Sequence, residues 1–96
     1  MTDPAVEAAR TEDCPFCRIL AVPGHPAVTV RWPDAVALTP HHPVTEGHVL
    51  VVPLRHVPDV AADPEVSAAV MRRAAELAGR CGPCNVITSR GAEATQ

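Results

Sequence analysis

Apolar and polar positions divide the chain into an unpatterned lead, a stretch of short apolar runs, and one amphipathic segment. Residues 1–13 mix charges without any apolar period and predict a flexible lead-in with at most a nascent helix. "CPFCRILA", from Cys14, predicts a short helical turn, which "VPGHP" breaks with two prolines and a glycine. "AVTVRW" reads as a strand, Pro33 and Asp34 as a turn, and Ala35 to Leu38 as the returning strand of a hairpin. "TPHHPVTEG" reads as a loop. His48 to Pro53, "HVLVVP", is nearly all β-branched or leucine, which predicts a strand buried on both faces or central in its sheet.

The segment from Asp63 to Arg80 predicts a helix. Asp63 can cap it, Pro64 suits the first helical position, and Val66, Ala69, Val70, Ala74, Leu77 and Ala78 form one apolar stripe. Arg72, Arg73, Glu76 and Arg80 fall mostly off that stripe, and Gly79 and Gly82 mark its end. "CNVITS", Cys84 to Ser89, predicts a further strand, and "RGAEATQ" a closing loop. Strands, one helix, then a strand favour an α+β domain over residues 14–96, with a meandering antiparallel sheet.

Composition narrows the setting. A 96-residue domain buries only about 60–65% of the surface its unfolded chain exposes, so a metal or a partner subunit would help it. The net charge is −3 and no run of arginines forms a basic face, which argues against a nucleic-acid partner. No apolar run reaches the roughly 18–20 residues that span a bilayer, and the polar, acidic start does not read as a signal peptide. The expectation is a cytoplasmic protein without a membrane partner. Four cysteines in such a reducing compartment are metal ligands, redox groups or buried residues sooner than disulfides.

Cys14 and Cys17 stand at a spacing that lets two sulfurs reach one tetrahedral ion, with zinc the default for thiolate and imidazole ligands. His56, after the "HVLVVP" strand, is a candidate third ligand; the alternative is two small apolar residues packed under a helix. Cys81-Gly82-Pro83-Cys84 has the spelling of a thioredoxin-type dithiol or half of a four-cysteine metal site. It follows a helix C-terminus, however, where the dipole disfavours a thiolate, and so reads as a turn in which Cys84 packs. Among the five histidines, His25, His41 and His42 read as solvated loop residues. His48, beside Gly47 at a strand start, is either a phosphate-side or a structural histidine. Ser89, Gln96 and the small residues between them could turn backbone amides toward a phosphate.

In order and spacing, "CPFCRIL", a hairpin, "PVTEGHVLVVPLRHV", an amphipathic helix and "CNVITSRGAEATQ" resemble the histidine triad (HIT) family of nucleotide hydrolases and transferases, over Cys14 to Gln96. The resemblance implies an α+β fold with a five-stranded antiparallel sheet, usually homodimeric, a nucleotide pocket and, in the zinc-binding branch, a structural zinc. Carried over, Cys14, Cys17 and His56 match three zinc ligands, the fourth coming from a histidine-rich strand. Phe16, Ile19 and Leu38 match apolar positions around the base. His48 matches the supporting histidine at the phosphate end, Ser89 stands where many members have a phosphate-contacting Asn, and Gln96 matches the Gln after the glycine-rich turn. Pro40 departs from the Asp or Asn that commonly holds the ribose, and Thr95 from a frequent Gly.

Family members continue from this Gln into a His-x-His-x-His strand whose middle histidine attacks the α-phosphate of nucleoside phosphoramidates or dinucleoside polyphosphates. No such motif occurs in these 96 residues, so no catalytic residue is assigned among them. The expectation is the N-terminal bulk of such an enzyme, truncated before the triad, inactive as it stands and holding an incomplete zinc site. The alternative is a zinc- and nucleotide-binding interaction module without catalysis.

Overall fold

The computed structural model describes residues 14–40 and 47–91; the expected lead-in at 1–13, His41, His42, Thr95 and Gln96 lie outside the described residues. Helix α1 (Pro15–Leu20) opens the fold, with Pro15 in its first turn, where a missing N–H costs nothing, and Cys17 buried. The chain then turns through Gly24, at φ +69°, a backbone region that glycine enters without a Cβ clash.

Strands β1 (Val28–Arg31) and β2 (Ala35–Leu38) form the expected hairpin, closed where the Trp32 N–H donates to the Ala35 carbonyl at 2.9 Å. Their antiparallel register pairs Val28 with Leu38, Val30 with Ala37 and Arg31 with Val36, with an irregularity between Val28 and Val30. The Thr29 hydroxyl, at that irregularity, donates to the Ala37 carbonyl. Strand β3 (Leu50–Pro53) pairs antiparallel with β2 from Ala35–Pro53 to Leu38–Leu50, giving the order β1-β2-β3.

β2, and not β3, is the central strand among the described residues. All four β2 residues are at most 1% exposed, whereas every β3 residue is half-buried and His48 and Val49 precede the strand. Hydropathy ranks "HVLVVP" first, but burial follows neighbours, and β2 has a strand on each side. Side-chain alternation assigns the two faces. Leu38 and its partner Leu50 border a cavity with α1, while Pro53, the partner of Ala35, borders the second helix. Ala35 and Ala37 therefore face that helix, and their small side chains let it come close to the sheet.

Helix α2 (Pro64–Ala78) packs on β3 and β2. The Asp63 side chain accepts from the Glu65 and Val66 N–H groups at 3.1 and 3.3 Å, satisfying two donors that a helix start leaves unpaired. The stripe from Val66 to Ala78 is half-buried, as its spacing predicts. Arg73 is drawn in from the polar side. Its Nε and Nη2 donate to the two Asp34 carboxylate oxygens at 2.8 and 3.3 Å, Nη1 donates to Glu76 at 2.9 Å, and the guanidinium lies 5.8 Å from the Trp32 ring centroid. α2 is thus clamped to the β1–β2 turn by a forked charge pair. This pair holds Asp34 below its ordinary carboxylate range.

Cys84 to Ser89 forms no strand. The segment joins no sheet ladder, and Val86 and Ile87 are 52% and 78% exposed, because β-branched residues make a strand only where a ladder partner accepts their backbone groups. Cys84 is exposed, not packed as its position suggests, since the segment it opens joins no strand that would cover it. Of the five strands implied by resemblance, three are present among the described residues, in an α+β fold with one long helix.

Candidate metal centre and ligand cavity

One turn of α1 brings Cys14 and Cys17 to the same side of the helix, since residues three apart are neighbours on a helix surface. The chain leaving β3 returns His56 to that side. The Cys17 Sγ and His56 Nδ1 atoms are 3.3 Å apart, and the ligand atoms of Cys14, Cys17 and His56 all lie within 4.8 Å of one another. Two sulfurs or a sulfur and a nitrogen at zinc bond lengths of about 2.3 and 2.0 Å span tetrahedral edges of about 3.5–3.8 Å, so this cluster needs about 1.3 Å of contraction at most. Two thiols and an imidazole are the soft-to-borderline donor set that zinc takes. Cys17 is buried and its two partners half-buried, so an ion here would be largely withdrawn from water. It is the cluster of this kind among the described residues, and Cys81 and Cys84 stand outside it.

The Cys81 thiol instead donates to the Leu77 carbonyl at 3.3 Å, and its N–H to that of Ala78 at 3.2 Å. "CGPC" therefore finishes the helix, as its position after the C-terminus implies.

A cavity of about 610 Å³ opens between α1 and the ends of β2 and β3, within the size range of small-molecule sites. Phe16 and Ile19 from α1 and Leu38 from β2, the three residues expected around a base, border it together. Leu50 and Val22 extend this apolar wall. Pro40, at the expected ribose position, is buried and also borders it.

Three polar residues on its border are not legible as site residues in the sequence: Arg18, Thr39 and His25. His25, expected as a solvated loop residue, is half-buried. Its Nδ1 accepts the Ala27 N–H at 3.0 Å, which leaves the proton on Nε2 in the neutral ring. His48, half-buried, and Ser89, half-buried at the far end of the 84–89 segment, are not on the border of this cavity. Gln96 lies outside the described residues.

Ser89 and Gly91 are held from another direction. The Ser89 carbonyl accepts the Val60 N–H at 3.2 Å, and the Gly91 N–H donates to Asp59 Oδ2 at 3.0 Å. That amide is thus already engaged and is not a free phosphate donor. Asp59 is held below the ordinary carboxylate range by this bond first, and then by the N–H groups of Ala61 and Ala62.

The arrangement of hairpin, central strand, returning histidine and amphipathic helix has a counterpart among known families: the HIT domain matches residues 25–96. This chain belongs to the HIT domain family. Leu38, His48, His56, Ser89 and Gln96 fall inside the matched region, whereas Cys14, Phe16, Cys17 and Ile19 precede it. The HIT core therefore supplies β1 to α2, and α1 adds both cysteines and one wall of the cavity. No curated protein and no solved structure matches the chain. Among the described residues, no helix of this HIT protein is long and apolar enough to cross a membrane.

Proposed function

We propose that this HIT domain protein binds a nucleotide or nucleotide conjugate, with the base in the cavity between α1 and the sheet and a structural zinc on Cys14, Cys17 and His56. The observation that carries the reading is that Phe16 and Ile19 on α1 and Leu38 on β2, about twenty residues on, border one apolar cavity whose other wall belongs to the HIT core. An apolar slot with a few polar groups on its border suits a flat, amphipathic base. His48, Ser89 and Gln96 would serve the phosphate end, and Phe16, Ile19 and Leu38 the base.

The reaction class that fits is nucleotidyl hydrolysis or transfer at the α-phosphate of nucleoside phosphoramidates or dinucleoside polyphosphates. These 96 residues contain no His-x-His-x-His, so the proposal for them is binding without turnover. A homodimer in the cytoplasm belongs to the same reading.

Calorimetric titration of the 96-residue protein with AMP and GMP is the test. The expected result is binding that Phe16→Ala weakens roughly tenfold, as loss of one stacked aromatic wall implies. Absence of binding, or binding indifferent to Phe16, would refute the cavity assignment. Phosphoramidate hydrolysis by these 96 residues alone would refute binding without turnover.

A further inference from the structure

The Asp59 carboxylate gathers three backbone N–H groups from two distant parts of the chain. Oδ1 accepts from Ala61 at 2.9 Å and Ala62 at 3.1 Å, closing a local turn ahead of α2. Oδ2 accepts from Gly91 at 3.0 Å, across 32 residues. The Val60 N–H, next to it, donates to the Ser89 carbonyl at 3.2 Å, and the Ser67 hydroxyl ties the Val60 carbonyl to the first turn of α2 at 2.6 Å. Residues 89–91 are therefore hung on a turn that is itself fixed to the long helix. Gly91 meets Asp59 at φ +90°, a conformation that side chains strain against. The preceding segment forms no sheet ladder that could fix its course instead.

We propose that Asp59 is a positioning residue for phosphate recognition: by holding the Gly91 amide it sets the place of Ser89 relative to a bound nucleotide's phosphate. The proposal rests on the nucleotide reading above and adds to it the residue that orders the phosphate end. A bare carboxylate close to a phosphate would repel it. Here both oxygens are committed to N–H donors and Arg90 lies close enough to favour the charged form. Asp59 is thus charged and acceptor-only at neutral pH, which a carboxylate must be to accept three N–H groups.

Asp59→Asn isolates the long bond. The amide oxygen can still accept from Ala61 and Ala62, but the NH2 group then meets the Gly91 N–H donor against donor. Asp59→Ser is the second variant: its shorter hydroxyl can still support the local turn but falls short of Gly91, and it serves if Asp59→Asn does not fold. The readout is the affinity ratio of nucleotide to nucleoside, AMP against adenosine and GMP against guanosine, measured by calorimetry on the 96-residue protein.

Wild type is expected to prefer the nucleotide. Each variant is expected to lose about tenfold in nucleotide affinity while keeping nucleoside affinity within about twofold, the size of one charge-assisted hydrogen bond. An unchanged ratio in both variants overturns the role of Asp59 and leaves the nucleotide reading standing. An equal loss for nucleotide and nucleoside overturns it too, since that is a general structural effect. A wild type that binds nucleoside as tightly as nucleotide removes the phosphate role of the segment, and one that binds neither removes the nucleotide reading with it.

Discussion

Zinc addition should stabilise this protein strongly, and Cys17→Ser should abolish the effect. The Cys17 and His56 ligand atoms, 3.3 Å apart, already lie near a tetrahedral edge, and Cys14 needs at most about 1.3 Å of movement. Little folding free energy is then consumed in forming the site, and binding appears almost fully as stability. For a ligand that binds only the folded form, free zinc at a hundred times its dissociation constant contributes ~2.7 kcal/mol. At roughly 4–8 °C per kcal/mol for a domain of this size, the melting temperature should rise by about 10–20 °C.

The assay is thermal unfolding followed by far-ultraviolet circular dichroism, with zinc buffered by a competing chelator across the titration. Cobalt offers an independent readout, since thiolate ligation gives an intense charge-transfer band in the near ultraviolet that Cys17→Ser should diminish. A melting temperature indifferent to zinc would refute the geometric argument. So would an equal rise in Cys17→Ser, which would place the ion elsewhere. Cys81→Ser with Cys84→Ser should leave the zinc effect intact, because those thiols stand outside the cluster.

Three further perturbations test the fold. Val36, 1% exposed in the central strand, should cost about 2 kcal/mol when cut to Ala, read as a lowered urea midpoint at unchanged slope. Asp63→Ala removes the acceptor for two N–H groups at the start of α2 and should cost about 1 kcal/mol by the same measurement. The Asp34–Arg73 pair gives a pH dependence with a definite sign. Because Asp34 is held below its ordinary value, its contribution is fully present above the unfolded carboxylate pKa of about 3.9 and is lost as pH falls through the lower folded value. Urea midpoints from pH 6 to 2 should therefore decline less steeply in Asp34→Asn than in wild type.

The sequence made the hairpin and the long helix legible because their signals are local: a Pro-Asp turn between β-branched runs, and an Asp cap, a Pro and a stripe of apolar residues. The rank of the strands was not legible. Leu50 to Pro53 is the more hydrophobic run, yet Ala35 to Leu38 is the better buried, because it alone has strand neighbours on both sides among the described residues. "CNVITS" misled for the related reason that strand propensity states a preference for a pleated surface and says nothing of whether a partner is there. The metal cluster was half legible: cysteines three apart on a helix report their own geometry, whereas His56 joins them only through the course of β3. Phe16, Ile19 and Leu38 entered through family likeness, and His25 and Thr39 carried no signal at all. Asp59 was hidden in the same way, as its partner Gly91 stands 32 residues away.

Helix α1 connects the two candidate sites. Its six residues carry Cys17 into the cluster with His56, and Phe16 and Ile19 onto the border of the cavity. A helix this short is not stable alone, so its position depends on what its side chains touch. An ion fixing Cys14 and Cys17 to His56 would fix the base-side wall as well, and the two ligands should bind cooperatively. Linkage makes the coupling reciprocal: whatever factor zinc adds to nucleotide affinity, nucleotide must add to zinc affinity. Measuring both factors separates this mechanism from simple global stabilisation. A protein that is already fully folded without zinc gains nothing from added stability, so a nucleotide affinity that still rises with zinc traces the coupling to α1.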